Sequence, residues 1–159
     1  MEAKSVTHIP KGEDWQYEPK WDGFRCLAFR QGTSLELQSK SGESLTRYFP
    51  EVVAQLLALG APNFVLDGEL IVLVDGKLSF DDLLQRIHPA ASRVKKLAES
   101  HPAQFVLFDL LVDAKAKSLV DKPLKDRRAA LEKFEATYLS SGNTCMLSPA
   151  TLDFELADE

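Results

Sequence analysis

"NFVLDGELIVLVDGKLSF", residues 63–80, is the stretch from which the fold is read. Residues 63–74 form a long run rich in Leu, Val and Ile, which suits a β-strand. Asp75-Gly76 follows, a pair that favours the tight turn of a hairpin, and residues 77–80 return as a short strand. A chain that doubles back so tightly makes an antiparallel pair, so the sheet is expected to grow through hairpins.

Upstream, "FRCLAFR" and "SLELQSK" flank "QGT" as a second hairpin. The latter run alternates, with Leu35 and Leu37 on one face and Glu36 and Gln38 on the other. "KSGES" reads as a loop. Pro50 suits the first turn of a helix over 50–60, and Gly60 stops it. Downstream, Ser79 is placed to cap a helix over 80–87, and a further helix over 91–100 ends before Pro102. "QFVLFDLLV", residues 104–112, is nearly all apolar, so both faces of that strand are expected to be covered. Strict alternation puts Phe105, Leu107 and Asp109 on one face and Val106, Phe108 and Leu110 on the other. An amphipathic helix over 123–139 carries Leu124, Arg128, Leu131 and Phe134 at helical spacing. Residues 144–149 suit a last strand, and 151–159 open a helix. The expected class is α+β, with antiparallel sheets and flanking helices.

At 159 residues and 45% apolar composition the chain can bury one domain's core. The polar start, "MEAKSVTHIPKGED", has no apolar signal segment, and no run approaches bilayer length. Cys26 and Cys145 match no metal spacing, and His8, His88 and His101 form no cluster. A soluble chain of the cytosol, with no membrane partner, is expected. The net charge of −5 disfavours an extended nucleic-acid surface but leaves room for a local basic cleft.

"YEPKWDGFR", residues 17–25, crowds Lys20, Asp22, Gly23 and Arg25 together. It is either a charged turn leading into a strand or a reaction centre built on Lys20. A lysine is ordinarily a protonated, non-nucleophilic ammonium at neutral pH. Burial beside another cation favours the free amine, and Arg25 is spaced to supply that cation. Asp22 can orient the amine or accept its proton, and Gly23 permits a tight turn under a ligand. In "VLDGELIV", Asp67 and Glu69 share one face of a strand. They either bind a cation or hydroxyl, with Mg²⁺ or a ribose as suitable ligands, or sit at a strand end in water. Phe108 is either a base-stacking ring or part of the core.

Taken together and in order, "EPKWDGFR", "SKSGESLTRYFPE", "LDGEL" and "FVLFDLL" resemble the covalent nucleotidyltransferases. Within these, the chain is similar to the bacterial ATP-dependent DNA ligases linked to end-joining repair. "FDDLLQRIHPAASRV" and "PLKDRRAALE" look like the same branch, so the resemblance covers essentially the whole chain. K-x-D-G-x-R alone arises by chance in on the order of one chain per thousand of this length.

The resemblance implies an adenylation-domain fold that uses ATP and Mg²⁺ on nicked double-stranded DNA, with end-joining proteins as candidate partners. It implies that Lys20 attacks the α-phosphate and carries AMP, assisted by Asp22 and Arg25. Glu18 and Pro19 fall where the family meets the adenine edge. Arg25 falls at the nucleotide and the nick 5′-phosphate, Glu69 at the ribose or metal, and Phe108 on the adenine face. Lys40, which the resemblance sets among the nucleotide-binding residues, stands where these ligases usually carry arginine, keeping the charge without the bidentate fork. The family's later glutamate-glycine-lysine and Lys-x-Lys segments and its OB-fold domain have no counterpart in residues 1–159. The expected organisation is therefore a partial adenylation domain, impaired when alone. An RNA ligase or capping-type nucleotidyltransferase, and a non-catalytic nucleotide- or DNA-end-binding module, are the alternatives.

Overall fold

A computed structural model describes residues 4–139 and 144–158. The chain divides into two compact units: Trp21–Leu147, and a smaller unit made of the segments before and after it.

The larger unit is built on a six-stranded sheet. The hairpin expected around Gly32 is β1 (Phe24–Gln31) and β2 (Ser34–Ser39). The apolar run at 63–74 is β3 (Asn63–Val74), and β4 (Lys77–Leu78) returns from it. Asp75 and Gly76 both have positive φ, 51° and 76°, the conformation a two-residue hairpin turn requires. β5 (Ala103–Val112) and β6 (Cys145–Leu147) complete the order β2-β1-β3-β5-β6, with β4 paired to β3.

The helices are α1 (Pro50–Ala58), α2 (Phe80–Leu84), α3 (Ala91–Ser100) and α4 (Leu124–Tyr138). Ser79 caps α2 by accepting from the Asp82 amide, as its position suggests. That helix stops three residues short of the expected end at Ile87. Arg86 instead turns inward to Glu51 on α1, at 2.6 and 2.7 Å, and also donates to the Tyr48 carbonyl. A tertiary ion pair thus ends an element that local propensity would extend.

One pairing departs from the antiparallel expectation. β6 runs parallel to β5, with Phe105 opposite Cys145 and Leu107 opposite Leu147. The chain reaches β6 through α4, and a crossover helix is what a parallel neighbour needs. The other strand pairs are antiparallel.

One face of the sheet is the core. Cys26 and Ala28 of β1, Phe64, Leu66 and Leu70 of β3, and Phe105, Leu107 and Leu110 of β5 pack there. Val52 and Leu56 of α1 and Leu131 and Phe134 of α4 belong to the same cluster. Burial of this surface at roughly 25 cal/mol per Å² is the main driving force for the unit. The opposite face of β1 and β3 carries Arg25, Asp67 and Glu69.

In the smaller unit, Tyr17 and Thr151 exchange backbone hydrogen bonds of 2.8 and 2.9 Å. The Tyr17 ring meets Phe154 edge-on, 6.0 Å between centroids, and its hydroxyl donates to the Pro10 carbonyl. Phe154 opens α5 (Phe154–Ala157), a single turn capped by Asp153. Among the described residues no helix is long and apolar enough to cross a membrane.

Candidate active site

Two glycines set how closely the strands of the site approach. A Cβ on Gly68 would lie 2.3 Å from the Val106 carbonyl oxygen and 2.6 Å from the Phe105 ring. A Cβ on Gly23 would lie 2.0 Å from the Leu70 carbonyl oxygen. Neither has a positive φ. Gly23 therefore serves by lacking a side chain where backbones meet, not by permitting an unusual turn.

This close approach delivers Arg25 to the carboxylates of β3. Leu27 pairs with Asp67 and Arg25 with Glu69, so the two acids share one face as their spacing predicts. Arg25 binds Asp67 bidentately, through Nε at 2.7 Å and Nη2 at 2.6 Å. Asp67 is 3% exposed, which rules out the alternative of a strand end in water. The hydrogen bond to Asp67 holds the Arg25 guanidinium above its ordinary pKa, against the opposing effect of burial. Arg25 is thus engaged by Asp67, a partner that the sequence places beside Glu69 without assigning it to the site.

Phe108 shares a face with Val106, which pairs with Glu69, so strand alternation brings it to the side of the acids, and β5 bulges at this point. Leu107 pairs with Gly68 but Asp109 pairs with Asp67, leaving Phe108 as an extra residue between them. The Arg25 guanidinium carbon lies 4.8 Å from the Phe108 ring centroid, a cation–π contact. Phe108 is half-buried and lies outside the apolar cluster. The bulge also corrects the strict alternation read along β5: Leu110 joins Phe105 and Leu107 in the core, while Asp109 stands opposite Asp67. Arg127 of α4 meets Asp109 at 3.0 and 3.2 Å. Neither Asp109 nor Arg127 was singled out in sequence, although an acid inside an apolar strand is itself a signal that a cation must meet it.

Glu69 is half-buried and accepts a 3.2 Å hydrogen bond from the Gly23 amide. Burial raises its carboxyl pKa, partly countered by the Gly23 amide and the Arg25 charge. Asp22 is exposed and adds to that rise through its own charge. Lys40 is exposed in the turn after β2 and lines an open hollow of about 930 Å³ with Arg25, Ser39, Ser41 and Tyr48. Among the described residues no three His, Cys, Asp or Glu side chains gather to hold a metal by themselves.

The remaining candidates lie in the smaller unit. Glu18 is half-buried and accepts from the Gln16 side-chain amide at 2.5 Å. Glu18 and Pro19 line a cavity of about 620 Å³ with Ile9, Trp15, Tyr17 and Leu156. Lys20 is exposed and is the last residue of this unit before Trp21.

Residues 1–142 match the family described as the ATP dependent DNA ligase domain. The chain belongs to this family. DNA ligase C2 of Mycolicibacterium smegmatis is 46% identical over 99% of the chain, and DNA ligase C of Mycobacterium tuberculosis 45% identical over 99%. The chain spans 43% of the length of each of these relatives. A solved mycobacterial DNA ligase D, described as complexed with ATP and MES, superposes with a TM-score of 0.64 at 26% identity, covering 86% of this chain and 40% of its own. The ligase domain of M. tuberculosis LigD superposes at 0.61, again at 26% identity, over 86% of this chain and 39% of its own. The sheet flanked by helices is accordingly the ligase adenylation-domain architecture; Arg25, which ends K-x-D-G-x-R, lies in β1, D-G-E in β3 and F-D in β5.

Proposed function

We propose that the protein carrying this ligase domain is an ATP-dependent DNA ligase that works through a covalent lysyl-AMP at Lys20. The observation that carries the reading is the joint placement of Arg25, Asp67, Glu69 and Phe108 on one sheet face. A cation, a hydrogen-bonding acid and an aromatic ring are what a nucleotide's phosphate, ribose and base require.

In this reading, the neutral amine of Lys20 attacks the α-phosphorus of ATP. The bond to the bridging oxygen breaks, pyrophosphate leaves, and the nitrogen loses its proton as the phosphoramidate forms. Asp22 orients the amine or takes that proton. Arg25 neutralises developing phosphate charge while Asp67 fixes its plane. Glu18 and Pro19 meet the adenine edge, and Phe108 meets its face. A 5′-phosphate at a nick in duplex DNA then takes the AMP, freeing Lys20, and the 3′-hydroxyl displaces AMP to seal the strand. Lys40, on the rim of the hollow that Arg25 lines, adds a cation for the nucleotide's phosphates.

Both Asp67 oxygens are engaged by Arg25 and both Asp109 oxygens by Arg127, which leaves Glu69 as the acid on this face able to contribute to Mg²⁺. One carboxylate fits Mg²⁺ only as a part-ligand, a mode in which substrate phosphates and water complete the octahedron. Bound there, the ion would neutralise the departing pyrophosphate.

The test is covalent labelling with α-labelled ATP and Mg²⁺. Label is expected on Lys20 and absent in Lys20→Ala, whose exposed side chain leaves the fold unchanged. Label persisting on another lysine sinks the assignment, and preferential labelling by GTP points to a capping-type enzyme.

A further inference from the structure

Asp67 and Asp109 stand directly opposite one another on β3 and β5, at 3% and 2% exposure. Like charges opposed across a sheet and shielded from water repel strongly unless each has its own counter-charge. Here each does, from opposite ends. Arg25 forks onto Asp67 at 2.7 and 2.6 Å, while Arg127 Nε donates to both oxygens of Asp109 at 3.0 and 3.2 Å. Arg127 is anchored in turn by a 2.6 Å hydrogen bond from Nη1 to the Lys122 carbonyl, just before α4. The order Arg25, Asp67, Asp109, Arg127 alternates neatly only at its ends; the two acids in the middle depend on the outer cations.

The row passes beside Phe108, because the bulge there brings Asp109, the next residue, into register opposite Asp67. Arg25 also lies against the Phe108 ring. If Arg127 is removed, the Asp109 carboxylate has no partner of its own. Its field then draws on the Arg25 guanidinium, pulling it from Asp67 and from its place over Phe108.

We propose that Arg127 is a positioning residue for the nucleotide site, holding Arg25 and Phe108 in place by neutralising Asp109. This rests on the reading of Arg25 and Phe108 as nucleotide-contacting groups. Arg127 touches neither of them in the contacts that define the row; it acts through the acid between.

The experiment compares Arg127→Met, Arg127→Lys and the double change Arg127→Met with Asp109→Asn in the protein that carries this chain. Two readouts are taken: the rate of lysyl-AMP formation with α-labelled ATP, and the Nε–H NMR resonance of Arg25. The methionine variant is expected to slow labelling roughly 10- to 100-fold, the scale of a displaced catalytic group, and to shift the Arg25 resonance. Lysine is expected to recover part of the rate by restoring the charge. The double variant, with no uncompensated acid, is expected to return both readouts toward the parent values. Full activity with an unmoved resonance in Arg127→Met overturns the proposal. If that variant does not fold, the double variant decides: a folded double slowed by roughly tenfold or more also overturns it. Absence of label in the parent protein defeats the ligase reading instead, and the Arg25 resonance still decides whether Arg127 positions it.

Discussion

At Phe108, strand alternation decides what an aromatic ring faces. Val106, two residues before it, pairs with Glu69, and the Phe108 ring takes the same side, under the Arg25 guanidinium. Phe108→Leu is expected to weaken ATP binding by about 1–3 kcal/mol, the worth of one base-stacking contact, as measured by calorimetric titration. Unchanged affinity would leave Phe108 as a platform for Arg25 alone. Glu69→Gln tests the neighbouring acid. It keeps the size of the side chain and an oxygen acceptor for the Gly23 amide, so nucleotide turnover is expected to lose its Mg²⁺ response while the thermal midpoint holds. An unchanged Mg²⁺ dependence would remove Glu69 from the metal.

At the scale of elements, the pairing of β3 with β5 depends on the bare backbone of Gly68. An alanine there would put its Cβ 2.3 Å from a backbone oxygen and 2.6 Å from the Phe105 ring, and neither can give way without parting the strands. Overpacking of this kind costs about 1–3 kcal/mol, and backbone crowding belongs at the upper end. Gly68→Ala is therefore expected to lower the unfolding free energy by that amount, read as a lower urea midpoint, and to disturb the Asp67–Asp109 pairing beside it. A midpoint equal to the parent's would show that the strands separate freely. The crossover α4 matters for a different reason. It carries both core residues (Leu131 and Phe134) and Arg127, so one helix ties the hydrophobic face to the polar one.

At the scale of the whole molecule, the two cysteines report on how tightly the sheet is closed. Cys26 is 0% and Cys145 4% exposed, and burial pushes both thiols up to about 12 from a reference of 9.0. Between those values the folded protein keeps protons that the unfolded chain has released, so stability falls as pH rises from 9 toward 12. Each thiol contributes a slope of at most about 1.4 kcal/mol per pH unit. Denaturation across that alkaline range is expected to show the decline, with a shallower slope in Cys145→Ala. A slope unaffected by the change would assign the decline to other groups. Below pH 9 the same burial is expected to leave both thiols unreactive toward alkylating reagents until the sheet opens.

Local chemistry determined much of this chain. Alternation, an Asp-Gly turn, a proline start and a serine cap suffice to place β1 to β5 and α1 to α4, because each depends on residues close in sequence. The K-x-D-G-x-R and D-G-E segments likewise announce their charges by spacing alone, and the shared face of Asp67 and Glu69 follows from strand geometry. What only the tertiary structure decided are matters of register and partner. The early end of α2 follows from Arg86 finding Glu51 on another helix, and the parallel course of β6 from the crossover. The bulge at Phe108 exists in the pairing of β5 with β3 and has no mark in β5 itself. The opposition of Asp67 to Asp109, and hence the need for Arg127, appears only when residues more than forty positions apart are brought into one row. Hydrogen-bond register and charge compensation are properties of pairs, and a linear sequence states only one member of each pair at a time.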